Sequence, residues 1–500
     1  MRSATIDKVV PSLCPLCLKP IEAHIFRDGK VVRLEKNCPD HGKFEDIYWS
    51  DADLYEKFDR YWDEGEGLDN PHTRDGDCPF NCGICSRHKT GTLLANIDLT
   101  NRCNLSCPVC FANAEASGRV YEPPFDQVKE MMARLREERP VPCPAIQFSG
   151  GEPTMREDLP SIVAMAKDMG FDQIQIATNG IRLANSLDLC QSLERSGLNT
   201  VYLQFDGLSP EASIAFRGRD VLPFKLKAIE NFRRSGLDSV VLVPTLEKGA
   251  NDGEVGKIIR FAAENLDVVK GVNFQPIAFT GRVDQAERLS KRTTIPDLFR
   301  LVEEQTEGEI TGDDFYPVSF VAPISRLIQA KTGISKPIFS VHPHCGAATY
   351  VFHQRGHLIP ISRFMDVEGF SELLKDEMEH LEGNSVSRLK MKSKIVSELP
   401  KLIDESAAPD DLNILRLLLG VLKNGTRDSL KEVHKKALFL GTMHFQDLYN
   451  IDIERVQRCG IHYATPDGRI IPFCTYNTIY RKDVEERFSV PVSQFRGMER

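Results

Sequence analysis

The sequence carries no surplus of positive charge: 63 Lys and Arg against 72 Asp and Glu leave a net charge of -9. A nucleic-acid partner ordinarily needs a basic face, so that class is set aside. Long apolar runs are also missing. The longest, such as Ile414 to Leu422, stop well short of the roughly 20 residues that span a bilayer, and Met1 to Leu13 has no apolar centre of the kind a signal peptide needs. These absences point to a cytoplasmic protein without a transmembrane segment, touching a membrane only peripherally if at all. With no export signal, disulfides are not the reading for the fourteen cysteines, and metal ligation is. A hydrophobic share of 41% and a charged share of 27% describe a soluble globular chain. Five hundred residues exceed one ordinary core, so two to four domains are expected.

The densest chemistry lies in Cys103-Asn-Leu-Ser-Cys107-Pro-Val-Cys110-Phe111, where a β-rich run, Leu93 to Thr100, gives way to an irregular segment. Three thiolates in one loop suit three irons of a 4Fe-4S cube and leave the fourth iron open. An open iron can chelate the amino and carboxylate groups of S-adenosylmethionine (SAM), and one electron then releases a deoxyadenosyl radical able to attack unactivated C–H bonds. The spacing alone also suits a zinc knuckle. Further strands favour the cluster. Ile146-Gln-Phe-Ser-Gly150-Gly151-Glu152-Pro-Thr runs into a glycine pair whose bare N–H groups can approach a ligand. Ile174 to Gly180, Val201 to Gly207, Val240 to Pro244 and Val272 to Pro276 repeat the pattern of strands ending in polar residues, where parallel α/β barrels place their chemistry.

The loop and the Gly-Gly-Glu strand together resemble the radical SAM superfamily. The resemblance implies a partial (β/α)6 barrel over 93–282, with SAM contacts from Phe111, Gly150, Gly151, Glu152, Thr178, Asn179, Gln204, Asp206 and Arg217. Helical patterns at Phe125 to Arg136, Leu159 to Met169, Leu183 to Ser196 and Pro223 to Ser235 alternate with its strands. Cys143 and Cys190 read as buried hydrophobes.

Upstream, Cys14-Pro-Leu-Cys17 and Cys38-Pro-Asp-His41 are two knuckles about a small hairpin, the pattern of a tetrahedral site for zinc or a rubredoxin-like iron. Residues 1–75 are read as this metal domain plus a linker helix, Asp51 to Asp63. Cys78, Cys82 and Cys85, in 76–92, repeat the spacing of the central triad but follow no strand, so they are assigned to an auxiliary cluster, with His88 a candidate fourth ligand. Beyond the barrel, 283–500 is read as helical apart from two hairpin units. One opens at Cys345-Gly346 and returns at Ile359-Pro360; the other opens at Cys459-Gly460 and returns to Cys474. Cys345, Cys459 and Cys474 would hold a second auxiliary 4Fe-4S cluster, or a zinc ion, with His342, His344 and His462 nearby. Asp376 to Asn450 reads as a helical insertion, by packing or as a channel for lipid.

Taken together these motifs resemble the archaeal tetraether lipid synthases. That family joins terminal methyl carbons of isoprenoid chains of archaeal diether phospholipids, using SAM, three iron–sulfur clusters, a rubredoxin-like iron and a reductase or ferredoxin as electron donor. The resemblance implies the same here. Relatives of this outline are also linked to radical methylation of a pterin, which is the alternative reading.

Overall fold

The computed structural model describes residues 6–114, 117–283, 286–379, 395, 397–410, 412–424 and 436–495. Its first element is not a single hairpin but an antiparallel sheet of four strands in chain order: β1 (Asp7–Leu13), β2 (Pro20–Asp28), β3 (Val31–Cys38) and β4 (Gly42–Trp49). Strict alternation builds it, with Ala23, Ile25, Val32 and Leu34 buried and Glu22 and His24 exposed between them. The linker helix is shorter than the expected span, Ala52–Asp59, opened by the Asp51 side chain accepting from the Leu54 N–H.

The second sheet has thirteen strands and carries the site. Its centre is β5 (Leu94–Thr100), followed after β6 (Arg119–Tyr121) by β7 (Ala145–Gly150), β8 (Gln173–Thr178), β9 (Thr200–Gln204), β10 (Val240–Val243), β11 (Thr245–Leu246) and β12 (Val269–Pro276). Strands β5, β7, β8, β9, β10 and β12 lie side by side in that order, all parallel. Helices Phe125–Arg136, Leu159–Asp168, Leu187–Ser196, Leu222–Ser235 and Val255–Glu264 return the chain between them. The expected helix over Leu183 to Ser196 breaks at Ser186, whose hydroxyl accepts from the Leu189 N–H and starts a new helix after Ile181–Asn185.

The strands alternate, one face packed under helices and the other turned to a cavity. Ala95, Ile97, Leu99, Ile146, Phe148, Ile174, Ile176, Val201 and Leu203 join the helices in the main core, together with Cys143 and Cys190. The opposite face puts Asn96, Gln147, Ser149, Ala177, Tyr202 and Gln204 around an internal cavity of about 250 Å³.

The sheet does not stop at residue 282. After β13 (Tyr316–Pro317) come the hairpin β14 (Gly346–Gln354) and β15 (His357–Pro360), then β16 (Leu438–Met443), which lies parallel to β12. On the other side of β5 lies β17 (Ile461–Ala464), also parallel, with β18 (Ile470–Pro472) folded back on it; β19 (Ser489–Pro491) pairs with β6. The two Cys-Gly hairpins therefore border opposite edges of one sheet.

The helical reading of Asp376 to Asn450 is corrected here: the apolar run at Ala437 to Leu440 opens strand β16, buried on both faces as parallel strands are. Helices Val367–Glu379 and Ile414–Asn424 pack instead in a separate small core with Leu327, Phe352 and Phe364. Residues 380–394, 396, 411 and 425–435 of that stretch lie outside the described residues.

Candidate active site

Cys103, Cys107 and Cys110 occupy the loop that leaves β5 at the C-terminal end of the parallel strands, and all three line the cavity. Burial pushes the Cys103 thiol up to about 12 and raises Cys107 against the opposing pull of Arg217. Buried thiolates of this kind need a cationic partner, and an iron–sulfur cluster fits that demand. The loop is laced down by Arg282, which the sequence reading did not single out. Its backbone N–H donates to the Cys110 carbonyl at 2.9 Å, and its guanidinium donates to the carbonyls of Cys107 at 3.1 Å and Ala114 at 2.6 Å. Gly281 before it has φ +66°, and a Cβ there would sit 2.4 Å from the Cys110 carbonyl oxygen, so only glycine permits the approach.

The glycine pair also serves the backbone packing. The Gly151 and Glu152 N–H groups are already spent on the carbonyls of Thr100 and Arg102, at 2.6 and 2.8 Å. A Cβ on Gly150 would meet the Thr100 oxygen at 2.2 Å, and one on Gly151 the Arg102 oxygen at 2.3 Å. The pair therefore lets β7 cross tightly against the strand that delivers the cysteine loop. Its consequence is the placement of Glu152, whose buried carboxylate accepts from the hydroxyls of Thr154 and Thr178 at 2.6 and 2.7 Å and from the Asn179 N–H at 2.7 Å. Asn179 in turn donates to Asn104 at 2.7 Å, tying the end of β8 to the loop.

Arg217 and Asp206 form a buried two-pronged pair, at 2.7 and 2.6 Å, and Arg217 also reaches toward the Val109 carbonyl at 3.4 Å. Lys225, on the helix Leu222–Ser235, donates to the Asn179 carbonyl from full burial. Burial, helped by neighbouring Arg217, lowers its ammonium to about 8 against the raising pull of Asp206 and Glu152. Phe111 stands edge-on to Phe445 and Phe473, with ring centres 5.8 and 6.0 Å away. Gln204 faces the same cavity.

The other cysteines gather in three places. Sγ of Cys14 and of Cys38 lie 3.6 and 3.5 Å from Nδ1 of His41, and Sγ of Cys17 lies 3.9 Å from that of Cys38. Those lengths match the edges of a tetrahedron around an ion with metal–sulfur bonds of about 2.3 Å, roughly 3.8 Å each. Cys78, Cys82 and Cys85 line a small recess with His88, pinned by Tyr480, which accepts from the Cys82 N–H at 3.1 Å and donates to the Pro79 carbonyl at 2.6 Å. Nε2 of His88 lies 2.8 Å from the Cys459 carbonyl oxygen and 3.1 Å from Nε2 of His462.

Cys345, Cys459 and Cys474, at the feet of the two edge hairpins, are close enough for their charges to act on one another. Backbone N–H of Gln446 donates to Cys474 at 3.3 Å and Nε of Arg455 donates to Cys345 at 3.4 Å. His344 stacks on Tyr55 at 3.7 Å, and His342 accepts from the His344 N–H at 3.3 Å.

Two residues outside the expected set also close the cavity. Arg481, near the C-terminus, pairs with buried Asp98 of β5 at 2.5 Å, and Tyr463 lies 3.2 Å from its guanidinium. The signal for Asp98 was present in the sequence: Leu94, Asn96, Asp98 and Thr100 alternate with Ala95, Ile97 and Leu99, and the polar series reads as solvent-facing unless a second layer is known to cover it.

Residues 97–262 match the radical SAM superfamily, and residues 7–50 match the HMPTM N-terminal zinc ribbon domain. A 7,8-dihydro-6-hydroxymethylpterin dimethyltransferase of Methanocaldococcus jannaschii is 54% identical over 499 residues, covering 99% of this chain and 98% of that protein. A GTP 3',8-cyclase of Chlorobaculum tepidum is 28% identical over 219 residues, 42% of this chain and 64% of the cyclase. Among solved structures, SuiB of Streptococcus suis bound to the precursor peptide SuiA aligns with a TM-score of 0.37 and 19% identity, over 44% of this chain and 46% of SuiB.

The end-to-end match to a pterin enzyme overturns the expectation of a tetraether synthase acting on diether phospholipid. The thiol pattern that suggested it does not specify a substrate. The apolar run that suggested a lipid channel is partly a strand, β16. Among the described residues no helix is long and apolar enough to cross a membrane.

Proposed function

The chain belongs to the family of the Methanocaldococcus jannaschii 7,8-dihydro-6-hydroxymethylpterin dimethyltransferase, within the radical SAM superfamily, and from that premise we propose that it is a radical methyltransferase acting on a reduced pterin. The observation that carries the proposal is identity of 54% along essentially the whole of both chains. The interior supports it. A cavity lined with amide, hydroxyl and aromatic side chains suits a flat polar heterocycle.

The roles of the residues follow from their places. Cys103, Cys107 and Cys110 hold the 4Fe-4S cluster, and cluster with SAM supplies, when bound, a carbon radical that removes hydrogen from a C–H bond. Glu152, held by Thr178 and Asn179, presents an oriented carboxylate to the SAM amino group. Arg217, fixed by Asp206, presents positive charge beside Cys107 and the SAM carboxylate. Phe111, with Phe445 and Phe473, walls the reacting centre from water. Cys14, Cys17, Cys38 and His41 bind zinc or a single iron, and the two remaining triads bind auxiliary clusters that pass electrons from a reductase or ferredoxin.

The experiment is an anaerobic incubation of the reduced, iron-loaded protein with SAM and 6-hydroxymethyl-7,8-dihydropterin, read by mass spectrometry. With SAM serving both as radical source and as methyl donor, the expected product set is deoxyadenosine and methionine from the SAM that is cleaved, S-adenosylhomocysteine from the SAM that gives up its methyl group, and pterin carrying one and two added methyl groups. SAM cleavage without any methylated pterin would sink the substrate assignment and leave the superfamily chemistry standing.

A further inference from the structure

Three amides form a directed chain across the inner face of the sheet. Asn96 of β5, Gln147 of β7 and Gln175 of β8 occupy one register line. Gln175 donates to the Gln147 carbonyl oxygen at 2.7 Å, and Gln147 donates to the Asn96 carbonyl oxygen at 2.7 Å. The chain has a direction, and that direction fixes what its end presents. Asn96 is 1% exposed, its oxygen is taken, and its amide N–H group has no partner among the described residues although it opens on the cavity. Across the same cavity Gln204 of β9 presents a buried carbonyl oxygen that is likewise unpartnered among the described residues.

A buried donor or acceptor left unmade costs on the order of 1–3 kcal/mol. Two such groups facing one cavity are what a site looks like when its ligand carries the complementary atoms. They also lie at different depths. Asn96 is four residues upstream of Thr100, roughly 13 Å below the cysteine loop at about 3.3 Å per residue. Gln204 is the last residue of β9, at the level where the loops carrying the chemistry begin.

Resting on the pterin assignment above, we infer that this pair reads and orients the pterin. Asn96 donates to the ring carbonyl of the amino-oxo edge, deep in the barrel, and Gln204 accepts from the ring N–H beside C7, near the cluster loop. The chemistry of the substrate requires such an orientation. In 6-hydroxymethyl-7,8-dihydropterin the only carbons bearing hydrogen are C7 and the hydroxymethyl carbon, both at the end opposite the amino-oxo edge. A radical arriving from the cysteine loop can act on carbon only if that end points up. Asn96 and Gln204 are thus positioning and specificity residues.

The test is anaerobic equilibrium binding to the iron-loaded protein of two ligands, the dihydropterin and its 2,4-diamino analogue, in which the ring carbonyl is replaced by an amino group. The unaltered protein is expected to prefer the pterin by at least about tenfold, because the analogue sets donor against donor. Asn96→Asp, which presents an acceptor, is expected to reverse that preference, and Gln204→Met to weaken pterin binding about tenfold. Iron content and thermal midpoint report whether each variant has folded. Should a variant fail to fold, the ligand preference of the unaltered protein still decides: equal affinity for the two pteridines overturns the inference. So does a folded Asn96→Asp that keeps the original preference. In both cases pterin binding itself leaves the substrate assignment standing. If the unaltered protein binds neither pteridine, both the assignment and the inference fall.

Discussion

Glu138 shows how far one side chain's surroundings can move its chemistry. Its carboxyl is fully buried against Thr92, which donates to it from its hydroxyl at 2.5 Å and its backbone N–H at 3.1 Å. Burial pushes it up to about 7 from 4.5, and the two Thr92 bonds only partly oppose that. In the unfolded chain the same group ionises near 4.5, so between there and about 7 unfolding releases a proton and becomes easier as pH rises. The contribution to stability is complete below pH 4.5, falls through the interval, and is gone above 7, a difference of roughly 3 kcal/mol. Glu138→Gln keeps the shape and can still bond Thr92, but does not titrate. Denaturant midpoints measured from pH 4.5 to 8 are expected to fall less steeply in the variant, which becomes the more stable protein at the alkaline end. Parallel pH profiles would show that burial is not what sets this carboxyl.

Among elements, the four-stranded ribbon divides into two halves held by different forces. At one end Trp49 and Tyr48 are fully buried, and Tyr48 donates to Asp452 at 2.8 Å. At the other end the cover is uneven: Cys14 and Cys38 are buried, but Cys17, His41 and the turn residues around them, 16, 19 and 39–43, are exposed. Metal ligation must therefore supply the order of that end. Stripping the ion with a chelator is expected to speed hydrogen exchange of residues 13–20 and 37–43 while β5 to β12 stay protected. Unchanged exchange in protein shown by metal analysis to be empty would refute this. The ribbon also marks what the sequence makes legible. Cysteine spacing specified each thiol group locally, because a knuckle or a triad is built from neighbours in the chain. Central strands and their helices were legible for the same reason, through period and caps. The hairpins that hold β14 and β17 were legible from their turns, but strand β16 and the place of all three in the sheet were not, since nothing in a six-residue apolar run such as Leu438 to Met443 says which sheet edge, more than 150 residues earlier in the chain, will accept it. Lys225 and Arg481 were missed alike: each sits on a helix whose pattern gives a charged residue to water, and only tertiary packing turns it inward.

At the scale of the molecule, the ribbon, the segment after β12 and the loop following β16 converge on one guanidinium. Arg292 has no exposed surface; it donates to Asp46 of β4 at 3.0 Å and to Asp447 at 2.7 Å, and its plane lies 4.8 Å from the centre of the Phe279 ring. Asp447 also accepts from the Phe279 N–H at 2.9 Å, on the segment that leads to Arg282 and the cysteine loop. Arg288 also pairs with Asp46, and Lys36, whose ammonium burial lowers to about 8, adds charge nearby; Arg292 is the cation that joins the two buried carboxylates. Removing it strands Asp447 and leaves Asp46 to Arg288 alone. Arg292→Leu is expected to destabilise the protein by about 3–5 kcal/mol, the cost of an uncompensated buried charge. Arg292→Lys should recover only part, because an ammonium cannot fork to two carboxylates. The prediction reaches beyond stability. Because the segment carrying Arg292 continues from the one that clamps the cysteine loop, loosening this junction should also lower the iron retained at Cys103, Cys107 and Cys110, measured in Arg292→Lys at a temperature where circular dichroism shows it folded. If that variant keeps its full iron content and melts with the unaltered protein, the three regions are held together by apolar packing, and the buried charges are passengers.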